Sequence, residues 1–373
     1  MTRITDVQAR TVSVPLDNPT SFSSRNVFKR DYVLVRVTGE DGIAGIGFCY
    51  AGSNAGALVA LAVRELLRPV LLGQDAHRVE GLWQAMYQEG LLHGRTGSVM
   101  RALSILDIAM WDRNARAAQL PLYKYLGAVA EDSVPAYASG GYYLDGKTPD
   151  QLAEEMTRYL SLGFTAVKMK VGRLDLRGEE ARIAAVREAV GPDIPVMLDA
   201  NNAWHDLATA VRFMRMFERY DPYWIEEPFS PDDIDNHSRL ARCTPVPVAT
   251  GEIEAGRWRF KELLDKEAAM ILQTDAAVCG GISEFRRIAA MAASHGVDMC
   301  PHWFHDLHVH LVAATPNASY VEYFADDQVL NFRRLVDTQL EFSAGQLKLP
   351  STPGLGFDFL EESLDRYAIE PWS

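Results

Sequence analysis

The sequence predicts an α/β protein: a barrel of eight parallel strands alternating with helices, the (β/α)8 or modified TIM type, preceded by an α+β lobe. Three observations predict it. From about Val134 onward, apolar strand-like runs alternate with helical periodicity at a spacing of roughly 20 to 30 residues. Asp199, Glu226 and Glu252 each close such a run just before a helical segment. The chain has 373 residues, which suits a barrel of about 250 residues plus a second lobe.

The elements follow in order. Asp31–Val37 reads as a strand, Glu40-Asp41-Gly42 as a turn and Ile43–Cys49 as the hairpin partner. Helical periodicity takes over from Ala55 to about Leu72, again from Arg78 to Met86, and from Ser98 to Ala118. Strands first and helices afterwards mark an α+β lobe. The barrel strands are expected at Val134–Ser139, Ala166–Val171, Val196–Asp199, Trp224–Glu227, Val246–Gly251, Met270–Thr274, Val297–Pro301 and Tyr320–Tyr323. Helices fill the gaps, among them Pro149–Leu162, Glu179–Val190 and Ser283–His295. The tail, including Gln346–Pro350 and the Pro353–Gly356 turn, is expected to fold back onto the first lobe. The expected division is residues 1–128, 129–335 and 336–373.

Composition narrows the function classes. Hydrophobic residues make up 48% and charged ones 23%, enough apolar surface for a large core. No apolar run approaches the roughly eighteen residues of a membrane span, and Met1–Asp6 lacks the apolar core of a signal peptide. A net charge of −13 argues against nucleic acid or anionic membrane as the partner. The cysteines at 49, 243, 279 and 300 show no paired spacing, so neither a disulfide framework nor a zinc cluster is expected, and the cytoplasm is the expected compartment.

In a parallel barrel the C-terminal strand ends meet at one face, so Asp199, Glu226 and Glu252 are expected to converge there. Three such carboxylates repel one another unless a cation lies between them, and oxygen-only ligands favour a hard ion such as Mg2+. In Lys168-Met169-Lys170 the two lysines share one face of their strand. Barrel strands have no free edge, so the pair is expected inside, where burial and the like-charged neighbour lower a lysine pKa toward that of a base. Asp275 and His302 end the sixth and seventh strands, where Asp275 is placed to accept one imidazole N–H and orient the ring for proton transfer. Glu322 ends the eighth; the sequence leaves open whether it binds substrate or pairs with a lysine.

These residues, in this order and spacing, resemble those of the enolase superfamily, mandelate racemase subgroup, over nearly the whole chain. The resemblance rests on Lys168-Met169-Lys170, Asp199 with Asn201, Glu226 in its Glu-Glu-Pro turn, Glu252, the Asp275/His302 dyad and Glu322. It implies an N-terminal capping domain completed by the C-terminal tail, and Mg2+ on Asp199, Glu226 and Glu252, holding a small-molecule carboxylate. It implies Lys170 and His302 on opposite faces of the α-carbon, with Lys168, Asn201, Glu322 and Arg25 as substrate contacts, and a homo-oligomer, dimer or octamer. In enolase-superfamily sites a Lys or His base acts together with Mg2+, which stabilises the enediolate; Lys168 is expected to share that catalytic role as positive charge, with Lys170 taking the α-proton and His302 protonating a departing β-hydroxyl.

Leu307–Pro316 and Tyr320–Phe324 are similar to galactarate/talarate-type dehydratases and also to mandelate racemase. The first loop, Asn18–Arg30, carries Arg25, Lys29 and Arg30 and in the family lies over the substrate; a basic lid suits a polyhydroxylated acid, while Phe22 and Phe28 suit an aryl group. Acid-sugar dehydration is therefore expected, with racemisation or epimerisation as its rival. Two other classes compete: a metal-dependent hydrolase, suggested by His308-Val309-His310, and a sugar-acid binding protein without catalysis. The histidine pair follows the seventh strand, where helical spacing turns the two apart, and a mere binder has no need of Lys170 and His302. Gly280-Gly281 before a helix suits either an anion or a tight turn. Trp83, Trp111 and Trp224 are expected in the core; Trp303 and Phe304 suit pocket or core equally.

Overall fold

A computed structural model describes residues 1–23, 25–326 and 330–373. Its first lobe is a three-stranded antiparallel sheet, β1 (Ile4–Phe22), β2 (Arg25–Gly39) and β3 (Ala44–Tyr50), in that order. The Gly97–Ala117 helix packs on this sheet. Gly47 makes that approach possible: a Cβ there would stand 2.0 Å from the Ile105 carbonyl oxygen.

Two expectations for this lobe are corrected. The Asn18–Arg30 segment is a hairpin arm rather than a loop. The β1–β2 ladder shifts register between Pro15 and Thr20, then resumes with Thr20 opposite Val27, Ser21 opposite Asn26 and Phe22 opposite Arg25. Prolines 15 and 19 have no N–H to give the ladder, but the residues beyond them satisfy their backbone groups by pairing, whatever the polarity of their side chains. The helix expected over Ala55–Leu72 is divided: Gly56–Leu61, a wide turn at Ala62–Leu67, and Arg68–Leu71. Pro69 cannot donate to the carbonyl four residues back and crowds it, so the preceding turn opens.

The barrel strands are β4 (Ser133–Ser139), β5 (Val167–Lys170), β6 (Val196–Asp199), β7 (Trp224–Glu226), β8 (Val248–Thr250), β9 (Ile271–Leu272), β10 (Asp298–Met299) and β11 (Val321–Tyr323). Each pairs in parallel with the next from β4 to β10, and β11 pairs in parallel with β4. Backbone bonds between Met299 and residues Asn317 and Ser319 join the two ends. All eight lie where the apolar runs predict them, mostly shorter than those runs, because the outer residues of a run lead into turns. Several of the barrel's helices are capped by side chains: Thr148 forms a capping box with Gln151, and Asp175, Asp206 and Asp233 accept the N–H groups of Gly178, Thr209 and Asn236.

The tail divides. After β12 (Phe342–Ser343), β13 (Gln346–Lys348) pairs antiparallel with β4, Leu347 opposite Val134. That part closes on the barrel, not on the first lobe, because β4 offers the edge of its N-terminal half. The rest does return to the first lobe: Leu355 N–H donates to buried Asp112, and Ala9 and Ser373 exchange backbone bonds.

One apolar core runs from β1–β3 through the Gly97–Ala117 helix into the Gly281–Ser294 helix of the barrel. At this contact the buried Asp107 carboxylate accepts the Ser283 N–H at 2.9 Å and its hydroxyl at 2.7 Å. The Gly280-Gly281 turn is thus capped by the chain's own acid. Trp83 and Trp224 are buried, and Trp111, half-buried, donates to the Ser283 hydroxyl. Among the described residues no helix is long and apolar enough to cross a membrane, and all four cysteines are free.

Candidate active site

Strand register builds the site. Lys170 lies opposite Asp199, and Asp199 opposite Glu226, so one lysine and two acids stand in a row at the C-terminal strand ends. Glu252 follows β8, Asp275 follows β9, His302 follows β10, and Glu322 lies within β11. A cavity of about 240 Å³ opens above them, lined by Lys170, Asn201, Glu252, Asp275, His302 and Glu322. Arg25 and Phe22 of the hairpin arm line it too. Phe28 does not; it is 62% exposed. Lys168 lies beneath, 1% exposed, and is not on the cavity wall.

The acids and lysines interlock. Lys168 Nζ is 2.7 and 2.9 Å from the two Glu226 oxygens and 2.7 Å from Glu322. Lys170 donates to Asp199. Glu252 Oε1 faces His302 Nε2 at 3.5 Å. The three acids are therefore neighbours without forming a closed cage: among the described residues no group of three or more His, Cys, Asp or Glu is set to hold a metal ion. Two lysines and an imidazole occupy the oxygens that a cation would use. The donor set still fits a hard cation. The acids are close enough to perturb one another: burial, then the charges of Asp199, Glu322 and Glu252, push Glu226 up to about 8 despite Lys168. Glu252 Oε2 is buried without a hydrogen-bond partner.

The expectation of lowered lysine pKa values is corrected. Burial does lower both, but Glu226 and Glu322 around Lys168, and Asp199 against Lys170, raise them beyond the ordinary value. Glu322 is the ionised partner of this arrangement: burial raises it, and Lys168, His302 and Lys170 overcome that and hold it at about 2. It also accepts the Trp303 N–H at 2.7 Å. His302 Nδ1 is 3.2 Å from Asp275 Oδ2. Burial lowers His302, while Glu252 and Asp275 bring it up to about 9.

The backbone at the cavity is strained. Asn201, Asn202, Glu227 and Trp303 line it with φ of 42°, 63°, 43° and 61°. Such left-handed conformations in non-glycine residues persist where the surroundings enforce them, commonly at functional sites.

His308 and His310 stand outside the cavity. His308 Nε2 accepts the Ala276 N–H and its Nδ1 donates to the Trp303 carbonyl; His310 accepts from Tyr123 and donates to Leu355. Both are neutral struts, and burial lowers His310 to about 4. Trp303 lines the cavity, whereas Phe304 packs with Phe48 and Phe332. Sequence reasoning missed Tyr50, Arg101 and Tyr142, which also line the cavity. Arg101 is a lone charge between Met100 and Ala102 on a helix of the other lobe, and only the packing of the lobes brings it here.

A family model described as "Mandelate racemase / muconate lactonizing enzyme, N-terminal domain" matches residues 4–127, and one described as "Enolase C-terminal domain-like" matches residues 151–363. The chain is 36% identical to L-talarate/galactarate dehydratase of Salmonella typhimurium, over 89% of this chain and 81% of that protein. It is 34% identical to 3,6-anhydro-alpha-L-galactonate cycloisomerase of Streptomyces coelicolor, over 91% and 92%. A crystal structure of L-talarate dehydratase from Polaromonas sp. JS666, complexed with Mg and L-glucarate, superposes with a TM-score of 0.89 at 32% identity, covering 100% of this chain and 99% of that one. The chain belongs to the enolase superfamily, with the two-domain organisation of mandelate racemase and muconate lactonizing enzyme.

Proposed function

We propose that this protein is a Mg2+-dependent dehydratase of an acid sugar, converting it to a 2-keto-3-deoxy acid in the cytoplasm. The observation that carries the reading is that Lys170, Glu252 and the His302–Asp275 dyad line one cavity, next to the paired strand-end acids Asp199 and Glu226. The similarity to a talarate/galactarate dehydratase supports the same reaction.

Asp199, Glu226 and Glu252 would hold the metal. Bound there, Mg2+ would supply positive charge to the substrate carboxylate as enediolate charge develops, and would offset the acids that now hold both lysines protonated. Lys170 takes the proton α to the carboxylate. His302, protonated and oriented by Asp275, gives its proton to the β-hydroxyl, which leaves as water. The resulting enol tautomerises to the 2-keto acid. Lys168 stays paired beneath the site and balances Glu226 and Glu322. Asn201, Arg25 and Glu322 are the substrate contacts, since all three reach the cavity wall.

Incubation with Mg2+ and a panel of acid sugars, followed by mass spectrometry, tests this. Loss of one water from a panel member, abolished by chelation, is the expected result; isomerisation with no change of mass would contradict it.

A further inference from the structure

The cavity carries a second basic region that the reaction itself does not use. Arg101, on the Gly97–Ala117 helix, and Arg30, on β2, line it from the first lobe, beside Tyr50 and Trp303. The Arg30 guanidinium lies 4.4 Å from the Trp303 ring centre and 5.1 Å from that of Tyr50, and the two rings stack on each other at 4.8 Å. Cation–π contact on two rings fixes this wall. Arg101 is half-buried. Among the described residues its one hydrogen bond goes to the Tyr50 carbonyl, at 3.1 Å, and no carboxylate pairs with it. Of the acids that line the cavity, Asp275 and Glu252 face His302 and Glu322 pairs with Lys168. A guanidinium on a cavity wall, held by a single carbonyl, keeps further N–H donors for a planar anion.

We infer that Arg101 binds a second carboxylate at the far end of the substrate, so that the substrate is a diacid sugar, an aldarate, rather than an aldonate. This rests on the dehydratase reading and adds the substrate class to it. A distal CH2OH would leave the Arg101 charge without a partner in a partly desolvated wall, whereas a carboxylate would meet it with charge-assisted bonds. Arg30, pinned on its rings, adds positive field to the same wall.

The test compares kcat/KM, with Mg2+, for six-carbon aldarates against the aldonates of matching stereochemistry, in the wild type and in Arg101→Met and Arg101→Lys. The wild type is expected to prefer an aldarate. Arg101→Met should lower that preference on the order of 100-fold, mainly through KM, and Arg101→Lys, which keeps the charge, should recover part of it. Dehydration of aldonates as fast as aldarates by the wild type would overturn the inference and leave the dehydratase reading standing. An equal loss of kcat on both substrates in Arg101→Met would also overturn it, because Arg101 would then act through the dyad or the fold. No dehydration of any acid sugar would bring down both readings.

Discussion

His302 Nδ1 stands 3.2 Å from the Asp275 carboxylate, whose other oxygen accepts the Ala277 N–H at 2.8 Å. Asp275 is therefore fixed by the backbone that follows it, and it fixes the direction in which His302 Nε2 points, toward Glu252 and the cavity. Proton delivery to a leaving hydroxyl contributes about 10²- to 10⁴-fold when such an acid is well placed. His302→Asn should lose dehydration by that order while still exchanging the α-proton with solvent. Complete loss of exchange would instead make His302 the base. Separate rates for deuterium uptake and product formation decide it.

Lys170→Ala should abolish both exchange and turnover and leave Mg2+ binding intact, since Lys170 is proposed as base and not as ligand. Calorimetric titration with Mg2+ beside the activity assay checks this. Measurable exchange in the variant would refute the assignment.

Glu252→Gln removes one of three ligand charges and should weaken Mg2+ affinity strongly. Calorimetry gives the readout without substrate. An unchanged affinity would remove Glu252 from the ligand set.

Asp107 predicts a pH dependence of stability far from the chemistry. Burial, with Glu284 nearby, raises it from 3.8 to about 7 against the hydrogen bonds from Ser283. The folded chain then holds this proton more tightly than the unfolded chain. The contribution is full below pH 3.8 and is lost as pH rises through about 7. Between these limits the urea midpoint of the wild type should fall relative to that of Asp107→Asn, which cannot titrate. Parallel midpoints across the range would show that Asp107 does not titrate there.

Gly281→Ala should destabilise by at least about 2 kcal/mol, from positive-φ strain and overpacking together. Gly281 has φ 86°, and its Cβ would stand 2.3 Å from Asp107 Oδ2. Thermal unfolding measures it, and a neutral result would mean that the two lobes part easily here.

Much of the site is legible in the sequence because strand periodicity is local. Lys168 and Lys170 alternate with Met169, and each acid ends its own apolar run, so topology alone makes them neighbours. What is not legible depends on contacts between distant segments. The lysine pKa values turn on carboxylates of other strands, Asp199, Glu226 and Glu322, far along the chain from Lys168 and Lys170, and burial without those charges gives the opposite sign. The hairpin arm escapes notice because its pairing is carried by backbone groups that polar side chains do not advertise. Arg101 reaches the cavity only through the packing of one lobe on the other. The tail divides because β13 finds a barrel edge that no linear pattern shows.

If Lys170 removes an α-proton and His302 expels the β-hydroxyl in the same cavity, both events leave a trace in one spectrum. Proton NMR in D2O, with Mg2+ and a panel of diacid and monoacid sugars plus mandelate, tests this most directly. Loss of the substrate signals and growth of those of a 2-keto-3-deoxy acid is the predicted result. Deuterium entering the α-position with the carbon skeleton and all hydroxyls retained would contradict it.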